Sequence, residues 1–200
     1  MRHSRKYLKF GLTLITLVAV PGLASADFCD LLVGGGAPAC RVNASNMGAT
    51  IIGNWLRLKP ETAVKGSTGK KGKFSSAAVP AYGVLGVKPQ SRLTMTVDCF
   101  AGDRAMRITA LPYMLGLTNG KNSSFNLTFK IDQKPPFKET WPLRWQGAEL
   151  EAPSGSRLLS ELSGAQELII TTDGIVGNKS QVGYVYKVDG FDKMNAGLCL

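Results

Sequence analysis

The side chains that enzymes most often use for acid–base and metal chemistry are scarce in this sequence. Its one histidine, His3, lies ahead of an apolar segment that we interpret below as part of a leader. A mature chain without histidine cannot run a Ser-His-Asp or Cys-His mechanism, and it cannot form a histidine metal site. If the cysteines pair as disulfides, no free thiol remains either. We therefore expect no catalytic residue, no metal site and no cofactor.

The four cysteines are an even number, which in an exported protein indicates two disulfides. They are Cys29, Cys40, Cys99 and Cys199. Three pairings are possible, and Cys29 with Cys40 are natural partners because they enclose a short glycine-rich stretch. Cys99 then pairs with Cys199 and ties the C-terminus to the middle of the fold. A zinc site is the competing interpretation, and the lack of both a CxxC pair and a nearby histidine argues against it.

The carboxylates and tryptophans allow one enzymatic alternative, a glycosidase. Glycoside hydrolysis needs two acids that flank the bound sugar. The candidate acids form two pairs, Glu149 with Glu151 and Asp189 with Asp192. Trp141 and Trp145 could line a sugar cleft, although we favour packing of both rings in the core. We favour a structural interpretation of the acids, in which the glutamates are solvated strand-edge residues and Asp192 suits a helix N-terminus.

A lysine- and glycine-rich segment is the candidate binding surface. Its basic residues are Lys65, Lys70, Lys71 and Lys73. We predict a flexible basic loop near residues 60–90. Ser67-Thr-Gly-Lys70 matches the S-x-x-K pattern of penicillin-recognising enzymes, but that chemistry needs a serine at a buried helix start, which such a loop does not supply. An anionic surface or a glycan would be the partner of such a segment, but we favour ordinary solubility charge because the basic residues are spread along the chain.

The N-terminus has the three parts of a secretory signal peptide. Basic residues precede an apolar stretch, Phe10 to Val20, that is too short to span a bilayer, and Ala24 to Ala26 supply small residues for cleavage. We predict a signal peptide at residues 1–26 and a single exported domain at residues 27–200; an uncleaved anchor is the alternative. The mature chain should not span a membrane, and we expect it in the periplasm or outside the cell.

Charge is distributed unevenly along the mature chain. Loss of the four basic leader residues leaves 20 basic and 14 acidic residues, a net charge of +6. Residues 27–130 carry 13 basic and 5 acidic groups, whereas residues 131–200 carry 7 and 9. A basic front half favours anionic partners. Nucleic acid is not an expected partner of an exported protein.

Alternation of apolar and polar residues predicts a β-rich fold. Leu93 to Cys99 alternates strictly, which places Cys99 on the inner face of a half-buried strand. A turn at Gly102-Asp103 leads to a second strand that includes Met106 and Ile108. The strongest strand pattern runs from Phe125 to Ile131. Further strands are predicted at residues 51–59, 140–146, 168–172 and 182–188, after a loop that reaches Asn46.

Two segments change to helical spacing. Leucines between residues 155 and 162 share one helical face, and Phe191, Met194 and Leu198 follow the spacing of a short terminal helix beside Cys199. The chain has no internal repeat and no βαβ alternation. We therefore predict an α+β, β-rich fold: an antiparallel sheet or sandwich with two short helices and two disulfides.

Several of these features occur together in one known family. They are the early pair Cys29 and Cys40, a strand that ends in Val97-Asp-Cys99, the segment Phe129-Lys-Ile-Asp132 ahead of Trp141, the leucine-rich helix, and the closing Tyr186-Lys-Val-Asp-Gly-Phe191 with Leu198-Cys199. In this layout residues 91–200 resemble the VasI/TagO-like accessory proteins of bacterial type VI secretion clusters. Around Cys40 the sequence Pro38-Ala-Cys-Arg-Val42 differs from that family's R-L-x-C-Y-D pattern.

The resemblance implies a non-enzymatic periplasmic accessory role through protein partners. We accordingly expect an exported binding or accessory protein of a type VI secretion or other cell-envelope system. The first alternative is a ligand- or glycan-binding envelope protein that uses the basic segment. The second is a histidine-free enzyme that cleaves glycans.

Overall fold

The computed structural model describes residues 27–33, 36–85, 93–110, 123–144, 146–172 and 182–199. The predicted leader at residues 1–26 and Trp145 lie outside these ranges. The helices are α1 (Phe28–Val33), α2 (Ala37–Asn46), α3 (Leu158–Glu161) and α4 (Phe191–Ala196). The strands are β1 (Thr50–Ile52), β2 (Trp55–Arg57), β3 (Glu61–Lys65), β4 (Lys70–Pro80), β5 (Gly83–Leu85), β6 (Thr94–Phe100), β7 (Asp103–Thr109), β8 (Ser124–Ile131), β9 (Phe137–Arg144), β10 (Glu149–Glu151), β11 (Glu167–Thr172) and β12 (Val182–Lys187). Within the described ranges, no helix is long and apolar enough to cross a membrane.

All twelve strands belong to one antiparallel sheet. Its order is β1-β2-β4-β6-β7-β10-β9-β8-β11-β12-β5, and β3 pairs with β4 beside this path. The sheet folds over on itself and brings β12 close to β7. The hydroxyl of Tyr184 on β12 donates a hydrogen bond to the carbonyl of Thr109 on β7 at 2.6 Å. Side chains from both halves of the sheet fill a single apolar core. The predicted β-rich α+β class is confirmed.

The strands in which apolar and polar residues alternate most regularly are those with one face fully buried in the core. On β6, Met95, Val97 and Cys99 point into the core, and on β8 every second residue from Phe125 to Ile131 does the same. The turn between β6 and β7 is Ala101-Gly102, one residue before the predicted Gly102-Asp103, because Asp103 already pairs with Phe100. Alternation identifies these strands because burying one face of a sheet requires a period of two.

The N-terminal segment is helical, so the predicted loop up to Asn46 is wrong. Four short helices occur in the described ranges rather than the predicted two. Helix α2 has Pro38 in its first turn and buries only Ala37 and Ala44. A helix with so narrow an apolar face shows little helical periodicity in its sequence, and α1 and α2 instead form a small second core around Phe28 and Cys29.

The predicted flexible loop near residues 60–90 is also wrong where the structure describes it. Strands β3 and β4 form a hairpin through a turn at residues 66–69, and β4 then runs on to pair with β2 and β6. The predicted strand at residues 51–59 is two strands, β1 and β2, joined at Gly53. Lysine, glycine, serine and alanine have low strand propensity, but pairing with the apolar strand β6 overrides it.

Both disulfides form with the pairing that cysteine spacing predicts. The Cα atoms are 5.7 Å apart in Cys29–Cys40 and 5.5 Å apart in Cys99–Cys199. By chain entropy, closing the short loop contributes about 3 kcal/mol and closing the long one about 5 kcal/mol. Beside the second bridge, Leu198 is fully buried and its carbonyl accepts a hydrogen bond from the Ser75 hydroxyl. The C-terminus is therefore fixed to β4 and β6.

Asp27 organises the start of the described chain. Its carboxylate accepts hydrogen bonds from the backbone N–H groups of Cys29 and Asp30 and from Arg41 Nε, the last at 2.8 Å. The hydrogen bond from Arg41 is the main reason that the pKa of Asp27 lies below its ordinary value. Arg41 also bonds Asp30, so that one guanidinium joins α2 to the first turn of α1.

We expect R41A to raise the pKa of Asp27 and to lower the free energy of unfolding at neutral pH. A carboxylate with a depressed folded-state pKa stabilises the fold above its unfolded-state pKa, and this contribution is lost as the pH falls through the folded-state value. The parent and R41A should therefore converge in stability at strongly acidic pH. NMR titration of Asp27 and urea unfolding at both pH values measure this. An unchanged Asp27 pKa would assign the shift to the two backbone donors instead.

A tight junction joins the β1–β2 turn to the turn between β12 and α4. The indole N–H of Trp55 donates to the carbonyl of Val188 at 3.1 Å, and the backbone N–H of Asn54 donates to the carbonyl of Asp189 at 3.1 Å. Gly190 has φ +85°, and a Cβ there would lie 2.6 Å from the carbonyl oxygen of Ile52. This approach is open only to glycine.

Gly190→Ala should lower the free energy of unfolding by about 3 kcal/mol, from left-handed backbone strain together with the clash. Gly155→Ala is the matched control, because Gly155 has φ +89° but nothing within 4 Å of the added Cβ. It should cost only about 1 kcal/mol, the strain alone. Urea unfolding of the two variants measures the difference. Equal losses would mean that the junction relaxes without cost.

Candidate functional site

The outer face of the sheet, opposite the core, carries a groove of 590 Å³. Side chains from β3, β4, β6, β7 and β10 line it. Because Met95, Val97 and Cys99 point inward, the intervening residues Asp98 and Phe100 must point outward. The same parity places Phe74 of β4 beside them. The groove is therefore a direct consequence of strand alternation.

The apolar part of the groove is an aromatic pair. Phe74 and Phe100 are direct cross-strand partners, and each is half-buried. Gly72 leaves room for the second ring, since a Cβ at that position would lie 3.1 Å from Phe100 Cζ. Ala63 and Ala105 are small and line the same space. Part of both aromatic rings consequently remains open to a ligand.

The charged part of the groove centres on Arg107. Its guanidinium pairs with Asp98 and, at 2.8 Å, with Glu149. Burial alone would lower the pKa of Arg107, but the two carboxylates outweigh it and raise that pKa above its ordinary value. Asp98 is only 8% exposed, and its Oδ1 has no hydrogen-bond partner. Arg107 is thus a fixed cation, and Asp98 is a desolvated carboxylate that is only half satisfied.

Two further carboxylates at the groove have no partner among the described residues. Glu61 and Asp103 line it, and neither carboxylate makes a hydrogen bond or an ion pair within the part of the chain that the structure describes. Glu151 also lines the groove but is paired with Arg144 at 2.6 Å. An apolar pair next to carboxylates without partners is suited to binding a ligand.

The carboxylates considered for glycan cleavage are each held by a neighbour. Glu149 pairs with Arg107 and Glu151 with Arg144, as described above, and the two glutamates share one face of β10. The second pair lies at the β12–α4 turn. There Asp189 accepts a hydrogen bond from Asn54 and Asp192 accepts one from the backbone of Gly164. Among the described residues, no cluster of three or more potential ligands could hold a metal ion.

Trp141 lies in the core rather than in a cleft. It is fully buried on β9, its ring centroid is 5.4 Å from that of Phe129, and its indole N–H donates to Glu139 at 2.8 Å. The same Glu139 accepts a hydrogen bond from Ser156, which ties the ring to the turn before α3. Its ring is therefore shielded from ligands. Trp145 lies outside the described residues.

The four candidate lysines do not converge on one surface. In the β3–β4 hairpin Lys65 is the cross-strand partner of Lys70, on the groove side. Lys71 and Lys73 are on the other side with Val64, which is 62% exposed. All four lysines are exposed, and Lys65, Lys70 and Lys71 lie at the distal end of the hairpin. They form two separate pairs, one on each hairpin face.

The groove could not be predicted from the sequence. The one available signal is the outward set of β6, where Asp98 and Phe100 alternate with buried residues. Its cross-strand partner Phe74 lies in a segment that the sequence predicts to be a loop. The aromatic pair therefore cannot be predicted until the pairing of β4 with β6 is known. The contact of Arg107 with Asp98 likewise depends on the register of β6 with β7.

Comparison with known proteins assigns no family to the chain. No family model matches it, and no curated protein matches it. Among solved structures, the chain is similar to the crystal structure of invasion associated protein B from Bartonella henselae at 14% sequence identity. The similarity covers 75% of this chain and 94% of that chain, with a TM-score of 0.46. The likeness to the type VI secretion accessory proteins therefore rests only on the residues quoted above.

Replacing Arg107 with methionine should lower the free energy of unfolding by about 2 kcal/mol, because it leaves the buried Asp98 without its cation. Arg144→Met is the matched control. It also removes a guanidinium from one glutamate of β10, but Arg144 is 62% exposed, so a change of at most about 0.5 kcal/mol is expected. Urea unfolding compares the two. Equal effects would show that Asp98 is solvated when Arg107 is absent.

Proposed function

We propose that this chain is an exported, non-enzymatic binding protein of the cell envelope that acts through the outer-face groove. The observation that carries the proposal is the aromatic pair Phe74 and Phe100, left half-open beside the unpartnered carboxylates of Glu61 and Asp103. A cross-strand aromatic pair stabilises the sheet in any case, but half-open rings beside unpaired carboxylates are also typical of a surface that binds a partner.

Export is supported by the cysteines and by the N-terminal sequence. Disulfides persist in oxidising compartments such as the periplasm and are rare in the reducing cytosol. All four cysteines are paired here, one pair near the predicted mature N-terminus and one at the C-terminus. Together with the signal-peptide pattern of residues 1–26, this favours action in the periplasm, with the cell exterior as the alternative.

A protein is the proposed partner in the first instance. The resemblance of residues 91–200 to type VI secretion accessory proteins suggests a component of such a machine or of another envelope assembly. The groove crosses several strands, which suits an elongated partner surface better than a small molecule. A catalytic role has less support, because the carboxylates of Glu149, Glu151, Asp189 and Asp192 are each engaged in a structural contact.

Binding to an anionic surface through the β3–β4 hairpin is the second candidate function. Lys65, Lys70 and Lys71 have no ion-pair partner in the described ranges, and Val64 is exposed beside Lys71. Basic side chains around an apolar one at a projecting tip match an anionic membrane surface or cell-wall polymer. This function would leave the groove unused.

In-cell photocrosslinking tests the first proposal. A photoreactive residue at Ala105, which is exposed at the groove, should capture a periplasmic protein identified by mass spectrometry. The same residue at Lys138, exposed on β9 away from the groove, is the control and should capture none. Equal capture at both positions, or none at either, would contradict a binding groove.

Vesicle sedimentation tests the second candidate. The mature chain should co-sediment with vesicles that contain anionic phospholipid and not with neutral ones. Changing Lys65, Lys70 and Lys71 to glutamine should abolish this, whereas changing Lys130, Lys134 and Lys138 to glutamine removes the same charge elsewhere and should not. Binding that survives the hairpin substitutions would remove the hairpin from consideration.

A further inference from the structure

We infer that the groove recognises a basic segment of its protein partner, with an arginine or lysine side chain lying against Phe74 and Phe100 and bonded to the carboxylates around them. This inference rests on the proposed function and names the chemistry of the partner. The occupant is an extended stretch of chain in which a basic residue stands beside an apolar one.

Charge complementarity is the first argument. Two of the three bases that line the groove are occupied, since Arg107 holds Asp98 and Glu149 and Arg104 bonds Asn195; the third, Lys65, has no ion-pair partner among the described residues. The acids are not occupied to the same degree. Glu61 and Asp103 have no partner among the described residues, and Asp98 has a free Oδ1. Two unpaired carboxylates, Glu61 and Asp103, against one unpaired ammonium, Lys65, leave the groove a net capacity for hydrogen-bond donors and positive charge.

Burial strengthens this preference. Asp98 is more than nine-tenths buried, so its carboxylate has already given up most of its hydration. Its Oδ1 is closed to solvent, so Asp98 would act on a ligand through its charge and not through a direct hydrogen bond. Beside Asp98, the low exposure also reduces screening by salt. An anionic ligand would instead meet the unpaired carboxylates of Glu61 and Asp103, and of the bases that line the groove only Lys65 would be left to pair with it.

The aromatic pair fits the same kind of ligand. A guanidinium or ammonium group binds favourably over a phenyl ring, and the alkyl stem of arginine or lysine covers apolar surface. The molecule uses this chemistry elsewhere: Arg157 Cζ lies 4.9 Å from the ring centroid of Phe137 while Arg157 bonds Glu161 at 2.8 Å. The groove contains two similar aromatic and acidic pairs that lack an arginine. They are Phe100 with Asp103 and Phe74 with Glu61.

The edge of the sheet explains why the segment should be extended. Strand β3 pairs with β4 on one side, and no described strand pairs with its other side. Its residues Glu61, Ala63 and Lys65 also line the groove. A partner segment could add backbone hydrogen bonds to this edge while its side chains reach the groove.

Peptide binding to the purified mature chain tests the inference. The probes are a short fluorescent peptide in which valine alternates with arginine and its counterpart with glutamate in place of arginine. The arginine peptide should bind and the glutamate peptide should not. Glu61→Gln combined with Asp103→Asn should weaken binding by about tenfold, the loss of two largely exposed ion pairs. Neither carboxylate supports the fold, so this variant should remain folded.

The matched control separates local contacts from net charge. Ser123→Lys combined with Ser124→Lys adds the same two positive units at exposed positions away from the groove and should leave binding of the arginine peptide nearly unchanged. Equal weakening by both double variants, binding of the glutamate peptide, or no loss in the carboxylate variant would each overturn the inference.

Two further outcomes separate this inference from the function on which it rests. If Ala105 captures a protein in cells but the arginine peptide does not bind, the binding function stands and the basic-segment inference fails. If analytical ultracentrifugation shows a dimer that Ala105→Arg dissociates, the occupant is a second copy of the chain, and the inference fails as well. Capture at Ala105 that is lost in the Glu61 and Asp103 double variant would support both.

Discussion

The contact between the β1–β2 turn and the β12–α4 turn is the constraint on which this fold depends. In the strand order, β1 and β2 begin the sheet and β12 and β5 end it, so a junction between Asn54 and Asp189 joins its two ends. Gly53 and Gly190 permit it, because their backbones approach more closely than any Cβ would allow. A long twisted antiparallel sheet must curl or divide to bury one of its faces. Here the closed arrangement gives one inner face a shared core and leaves the outer face open to carry a groove.

The C-terminal disulfide then determines which side chains reach that groove. Cys99 must point inward to meet Cys199, so its neighbours on β6, Asp98 and Phe100, must point outward. A register shift of one residue would exchange the two faces and move the charged carboxylate into the core. The covalent bond to the C-terminus therefore also specifies the site, although neither sulfur atom belongs to it. The same logic makes Leu198 and Ser75, next to the bridge, part of the support of the groove.

Secondary structure can be predicted from the sequence where one face of an element packs against the core. It cannot be predicted where the conformation depends on which strands pair. Strands β6 and β8 and the terminal helix are predictable because their apolar periods are regular, and the cysteine pairing follows from spacing. Helices α1 and α2 are not, since α2 buries only two alanines. Strand β4 begins Lys-Lys-Gly-Lys and is a strand only because β6 and β3 flank it. The groove has the same origin: Phe74 and Phe100 are 26 positions apart in sequence and meet only through strand register. Arg107 and Asp98 meet in the same way.

A basic chain with an acidic groove places a condition on its partner. Residues 27–200 carry a net charge of +6, so a wholly basic protein would be repelled at a distance before it reached Glu61 and Asp103. At physiological ionic strength that repulsion decays over about 8 Å, whereas contacts at the groove act at a few ångströms and in partly desolvated surroundings. Net charge determines the association rate, whereas the carboxylates of the groove determine the dissociation rate. The partner that satisfies both is neutral or acidic as a whole and presents its arginine or lysine on an otherwise apolar strand. The exposed lysines of the hairpin, next to the groove at Lys65, would then attract the acidic remainder of the same partner.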